Sequence, residues 1–284
     1  MSEYKIYAFA DEASASVKGQ IAAMRRNGLN GLEIRNADGV NVSDMTFEHA
    51  KEVRAQIDDA GLKVWSIGSP IGKIDVEKDD FAAHLDKFRH TLEIAEILGA
   101  KNIRLFSFYI PAGRKPADFR SMVFDRIGAL IDAAKGADVE LCHENEKGIY
   151  GDMADRCADL YRAFPTLRAV FDPANFIQCG QDTWQAWELL KPYVKYLHVK
   201  DALADGNVVP AGKGIGNVSR IVGEYLAMGG TALTLEPHLK VFDGLAALER
   251  ASNDRPALGS HCYASNDEAF DAACAALKEI LQEA

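Results

Sequence analysis

The chain has 284 residues, 48% hydrophobic and 26% charged, with a net charge of −10 and a pI near 5.2. That length and composition suit one large buried core, and the acidic balance argues against a nucleic-acid partner, which needs clustered Lys and Arg to meet phosphates. No stretch approaches the roughly 18 apolar residues of a membrane span, so no membrane partner is expected.

The N-terminal MSEYKIYAFADE lacks the long apolar run of a signal peptide. Cys142, Cys157, Cys179, Cys262 and Cys274 form no CxxC pair and read as reduced, mostly buried thiols. The expected setting is soluble and cytoplasmic.

Taken in chain order, short β-rich runs alternate with longer amphipathic segments. The pattern predicts a strand over Tyr4–Asp11, a helix over Val17–Asn27, a strand over Gly31–Asn36 and a helix over Ser43–Ala60. That helix opens on the capping residues Ser43, Asp44 and Thr46, and carries Ala50, Val53, Ile57 and Ala60 at helical spacing. Next come a strand over Lys63–Ser69, a helix over Glu77–Leu98, a strand over Asn102–Phe108 and a helix over Ala117–Lys135. The second half continues with strands over Val139–Glu146, Arg168–Asn175, Tyr196–Ala202 and Thr231–His238. Its helices are predicted over Asp152–Phe164, Thr183–Leu190, Val218–Met228 and Asn266–Leu281.

Gly28, Gly61, Gly99 and Gly136 each follow a helix and precede a strand, where a left-handed cap is wanted. Alternation at about 30 residues per unit implies parallel strands with right-handed crossovers. Eight strands, and no GxGxxG after the first, favour a closed (β/α)₈ TIM barrel of the α/β class over an open sheet. Residues 1–284 are expected to form that single domain.

Chemistry in such a barrel gathers at the C-terminal ends of the strands. The last four strands end in Glu144, Asp172, His198 and Glu236. Side-chain alternation tests whether they converge. Leu233 and Leu235 face the helices, so Glu236 faces the axis; the same parity sends Asp172, Glu144 and His198 inward. Three acids at one small mouth repel one another unless a cation compensates them. Oxygen ligands with one imidazole suit Mn²⁺, Mg²⁺, Co²⁺ or Zn²⁺, with the oxygen-rich set leaning toward Mn²⁺ or Mg²⁺. Such an ion can clamp neighbouring oxygens of a sugar-like substrate while carboxylates on either side exchange a proton.

At HENEKG around Glu144, FDPANF around Asp172, LHVKD around His198 and TLEPH around Glu236, the sequence resembles the xylose isomerase-like superfamily of metal-dependent TIM barrels. The resemblance covers the whole chain in strand order. It implies one Mn²⁺-type ion on those four residues, with Glu144 and Glu236 doubling as the catalytic acid/base pair. Two positions depart from the ketose 3-epimerases of the group: Asn175 stands where a His is common, and Lys200 is the cation near the metal His. Endonuclease-type relatives carry extra histidines on other strands, whereas His49, His84 and His90 here fall in predicted helices.

Other residues carry two readings each. Glu146 binds a substrate hydroxyl or is solvated; Lys200 meets a substrate oxygen or pairs with Asp201. His238 shares the parity of Glu236, and His143 has the opposite parity to Glu144 and packs toward helices. Asn175 and Arg35 end strands at the mouth and are candidate substrate contacts. Trp65 and Tyr109, like Phe106 and Phe108, stack on a sugar or fill the core. Pro210 to Asn217 is a glycine-rich loop after the seventh strand, where barrels bind phosphate, but it lacks a Walker pattern. Trp184 and Trp187 pack within the fold or lie at an oligomer interface.

The expected function is a divalent-metal-dependent isomerase or epimerase of a ketose, ketose phosphate or related polyol, removing a proton next to a carbonyl held by the metal. A lyase of the inosose-dehydratase or 3-keto-sugar type uses the same site and first step. A non-catalytic sugar-binding subunit is the third reading, disfavoured by the intact ligand set. The expected partner is a small sugar or sugar phosphate, with a homo-oligomer left open.

Overall fold

Eight parallel strands close on themselves in the computed structural model, which describes residues 4–242 and 263–283. They are β1 (Lys5–Ala8), β2 (Gly31–Ile34), β3 (Lys63–Gly68), β4 (Asn102–Leu105), β5 (Glu140–Glu144), β6 (Arg168–Phe171), β7 (Val194–Val199) and β8 (Ala232–Leu235). Each pairs with its neighbour in sequence, and β1 pairs with β8 through Lys5↔Ala232 to Ala8↔Leu235. The helices are α1 (Val17–Arg26), α2 (Phe47–Asp59), α3 (Phe81–Leu98), α4 (Arg120–Ala133), α5 (Ala154–Ala163), α6 (Pro173–Gln178), α7 (Thr183–Leu190), α8 (Val218–Ala227) and α9 (Asn266–Glu283). The predicted (β/α)₈ barrel is the fold observed.

Local chemistry accounts for the boundaries. The hydroxyl of Thr46 accepts the His49 N–H and starts α2, and Asp80 accepts the Ala82 and Ala83 N–H groups to start α3. Caps of this type contribute about 1 kcal/mol each. Along α3, the buried His84, Phe88, Thr91, Ala95 and Leu98 recur at spacings of three and four, one face of a helix. Gly28, Gly61, Gly99 and Gly136 all take positive φ, as expected for left-handed ends.

The strands are shorter than expected. The run predicted as Arg168–Asn175 stops at Phe171, because Asp172 accepts the Asn175 N–H and Pro173 opens the short helix α6. Likewise the first strand stops at Ala8, and Ala10–Glu12 form a 3₁₀ turn. Helix α2 begins at Phe47 rather than Ser43, with a separate 3₁₀ turn over Val42–Asp44.

The outer core lies between strands and helices, where Leu233, Leu235, Leu197 and Val199 meet the apolar faces of the helices. Inside the barrel a smaller cluster of Tyr7, Cys142, Val170, Tyr196, Ala232 and Trp65 forms a plug. Cys142, Cys157 and Cys274 are buried free thiols and Cys179 is half-buried; Cys262 lies outside the described residues. Trp187 is buried edge-on to Phe171, while Trp184 stacks beneath the Arg220 guanidinium. No helix among the described residues is long and apolar enough to cross a membrane.

Candidate metal centre

Above the plug, polar side chains replace apolar ones. His198, near the end of β7, is fully buried on the barrel axis. Its Nε2 lies 3.1 Å from Glu33 Oε2, and its Nδ1 lies 3.0 Å from Glu144 Oε1 and 3.3 Å from Glu236 Oε2. Glu33 in turn accepts the Tyr196 hydroxyl at 2.8 Å. Burial alone would keep this imidazole neutral, but the Glu144 and Glu33 carboxylates push its pKa well above the ordinary range. Burial would likewise raise Glu33, and His198, Arg104 and Tyr196 more than offset it, holding the carboxyl low.

Glu144, Asp172, His198 and Glu236 are all buried, and each offers a ligand atom within 4.8 Å of the others. Glu144 Oε2 and Asp172 Oδ2 are buried and accept no hydrogen bond. Cations lie near them, with Arg104 Nη1 3.2 Å from Glu144 Oε2 and Lys200 Nζ 2.8 Å from Asp172 Oδ2. The donor set fits a hard divalent ion on two grounds. Three carboxylates and one imidazole with ligand atoms within 4.8 Å of one another make the oxygen-rich set that such ions take. A histidine whose far nitrogen is held by a carboxylate is also the usual arrangement around a metal-binding imidazole.

Fixed charges frame this cluster. Arg35, fully buried at the end of β2, pairs with Asp11 at 2.9 Å, Glu12 at 3.1 Å and Glu236 Oε1 at 3.4 Å. Its guanidinium lies over the rings of Phe9 and Phe242. Lys200 bridges Asp172 and Glu236, the latter at 3.0 Å. The Glu236 carboxyl would be raised by burial, but Lys200, His238 and His198 hold it well below the usual range. Burial pushes Glu12 up to about 8, against the pull of Arg35.

The remaining sequence candidates divide. Asn175 donates to Glu144 Oε1 at 3.2 Å and to the Asn145 carbonyl, so it orients Glu144. Glu146 is paired with Lys73 at 2.9 Å, and Lys73 lies over the Phe106 ring, beside which Tyr109 and Ile149 pack. His238, at a φ of +44°, places Nε2 3.5 Å from both Glu12 Oε1 and Glu236 Oε1 and stacks on Phe242. Glu12, Glu236 and His238 form a second ligand-like group, but Arg35 already supplies positive charge there.

Two readings are corrected. Trp65 does not reach the mouth: it stacks on Tyr7 at 4.8 Å and meets Tyr196 edge-on in the plug, where the large rings fill the barrel interior. Lys200 does not pair with Asp201, which faces the glycine-rich loop instead. His143 packs toward α5 as expected, between the Tyr161 hydroxyl and Ser107 Oγ, and burial lowers its pKa to about 3.

Glu33, Arg104 and Lys73 were not singled out in the sequence. A signal for the first two was present. Glu33 stands between Leu32 and Ile34, and Arg104 between Ile103 and Leu105, so each charged residue takes the inward parity between two apolar, outward-facing neighbours. Lys73 lies in a loop, where alternation gives no direction.

The family described as xylose isomerase-like TIM barrel matches residues 21–251. Among curated protein sequences none is significantly similar to the chain. Solved structures with the same fold include L-ribulose 3-epimerase, with a TM-score of 0.73 and 17% identity over 100% of this chain and 95% of that one. The probable 3-DHS dehydratase AsbF of Bacillus anthracis gives 0.69 and 18% over 97% and 98%. A xylose isomerase-like TIM barrel protein of Mycobacterium smegmatis, in complex with magnesium, gives 0.69 and 13% over 99% and 97%. At these identities the likeness is one of fold.

Proposed function

From the premise that the chain belongs to the xylose isomerase-like TIM barrel family, we propose that it is a divalent-metal-dependent isomerase or epimerase of a ketose, ketose phosphate or related polyol. The observation that carries this reading is the convergence of Glu144, Asp172, His198 and Glu236, all buried, with ligand atoms within 4.8 Å of one another. A divalent ion held there, Mn²⁺ or Mg²⁺ by the oxygen-rich donor set, supplies Lewis acidity that eases removal of a hydrogen next to a carbonyl.

The protein's own groups do the rest. Glu236, kept ionised by Lys200, His238 and His198, accepts the proton from the substrate carbon. Glu144, held by Asn175 and Arg104, delivers a proton taken up from solvent to the same or the neighbouring carbon, and Glu236 releases its proton to solvent to reset the pair. Lys200 and Arg104 are buried donors beside the carboxylates and favour negative charge developing on a substrate oxygen. Phe9 and Phe106 lie beneath the guanidinium groups and keep water out.

The test is deuterium exchange. Mn²⁺-loaded protein incubated in D₂O with a panel of ketoses should wash deuterium into the carbon next to the carbonyl, read by NMR. Glu144→Gln and Glu236→Gln should each slow exchange by about 10²- to 10⁴-fold. A panel with neither exchange nor product would count against the proposal. A lyase shares this first step, and the dehydratase among the structures of the same fold favours keeping it as the second reading. Loss of water or of a leaving group from the substrate would identify it.

A further inference from the structure

Beyond β7 the chain forms a short hairpin, Asp201–Ala202 against Val208–Val209, and then the loop 210–217 that leads into α8. Asp201 is 1% exposed and is the centre around which the loop is wound. Its Oδ2 accepts the N–H groups of Gly212 and Gly214, each at 3.0 Å. Its Oδ1 accepts those of Gly216 and Ala202, each at 2.9 Å.

The alternating glycines follow from that wrapping. A Cβ on Gly214 would stand 2.3 Å from both the Ala202 carbonyl oxygen and Asp201 Oδ1, and one on Gly216 would stand 2.5 Å from Asp201 Oδ1. Backbone N–H groups converging on two oxygens are the device by which loops cradle phosphate. In TIM barrels the loops after the seventh and eighth strands are where that phosphate commonly sits. Here a carboxylate of the chain itself uses the donors.

The mouth gives a second, independent observation. Among the described residues, the buried Arg35, Arg104 and Lys200 and the partly buried Lys73 all have carboxylate partners there: Arg35 with Asp11 and Glu12, Lys73 with Glu146, Arg104 with Glu144, and Lys200 with Asp172 and Glu236. A phosphate dianion entering there would have to displace one of these carboxylates and lie beside it. Like charges set against each other in this way oppose binding.

We infer that Asp201 is an internal anion that closes the phosphate cradle of the barrel, and that the mouth takes an uncharged, unphosphorylated sugar or polyol. The substrate half of this inference rests on the proposed sugar chemistry; the role of Asp201 does not.

Two measurements test it. The first follows the thermal midpoint of the metal-loaded protein against inorganic phosphate at constant ionic strength. Wild type should show no saturable stabilisation. Asp201→Ala should melt lower and be partly restored by millimolar phosphate but not by chloride. Asp201→Asn, which retains one acceptor oxygen and the bulk, should lose less and respond less. Saturable stabilisation of wild type by phosphate would overturn the inference, as would a folded Asp201→Ala protein that phosphate does not restore. If Asp201→Ala does not fold, the wild-type and Asp201→Asn titrations decide.

The second measurement compares matched ketoses and ketose phosphates on wild type. The unphosphorylated member should have the higher kcat/KM, by roughly a hundredfold. A preference for the phosphate would overturn the inference. Turnover of neither would count against the proposed reaction, while the phosphate titration still decides the role of Asp201.

Discussion

Glu33 Oε2 lies 3.1 Å from His198 Nε2, with neither side chain exposed to solvent, and this contact fixes which nitrogen of the imidazole faces Glu144 and Glu236. The carboxylate accepts from Nε2, leaving Nδ1 for an ion. Replacing Glu33 with Gln removes the charge and keeps the shape. Metal affinity should fall by about 10- to 100-fold, measured by competition with a chelating dye, while the far-UV spectrum stays unchanged. Tyr196→Phe, which removes only the hydroxyl bonded to Glu33 Oε1, should weaken binding less.

Metal binding should expel a proton. The carboxylates around His198 raise its pKa well above the ordinary imidazole value, so the ring holds its proton more tightly than a free imidazole and an incoming ion competes with that proton. A metal requires the neutral ring. Affinity should therefore rise with pH across the neutral range, and mixing Mn²⁺ with the protein in weak buffer should acidify an indicator dye. An affinity independent of pH would show that His198 is not a ligand.

The plug and the site separate in mutagenesis. Trp65 stacks on Tyr7 below the ligand cluster, so Trp65→Ala should cost about 3 kcal/mol of stability, read from urea unfolding. Metal stoichiometry of the folded fraction should be unchanged. A variant of normal stability that lost substrate affinity would restore the sugar-stacking reading.

His84 makes stability fall with acid. Its Nε2 accepts the Gly72 N–H at 2.8 Å, and burial with nearby Lys87 and Arg126 lowers its pKa from 6.5 to about 4. The folded state thus binds its proton less readily than the unfolded chain. The contribution is complete above about pH 6.5 and is lost progressively as pH falls toward about 4, by at most about 3 kcal/mol. Urea midpoints at pH 7 and pH 5 should differ less in His84→Gln than in wild type.

The sequence carried the barrel because its signals were local. The glycines after four helices sit where a left-handed end is needed, and strand alternation places Glu144, Asp172, His198 and Glu236 on the axis. Strand ends were less legible, since Asp172 and Pro173 start a helix where the apolar pattern continued. Partners were least legible. Lys200 could pair with the adjacent Asp201 or with acids on other strands, and only the closed barrel, which brings β6 and β8 to either side of β7, decides for Asp172 and Glu236. Glu33 and Arg104 obey the same parity rule as the four ligands, but each is followed by a further apolar strand residue and so reads as part of the strand rather than its end.

The most direct test of the metal centre is metal content by mass spectrometry, for wild type and His198→Ala purified identically and incubated with Mn²⁺ before gel filtration. The account predicts close to one ion per chain in wild type and a large loss in a folded His198→Ala protein. No bound metal in wild type, or equal retention in both proteins, would contradict it.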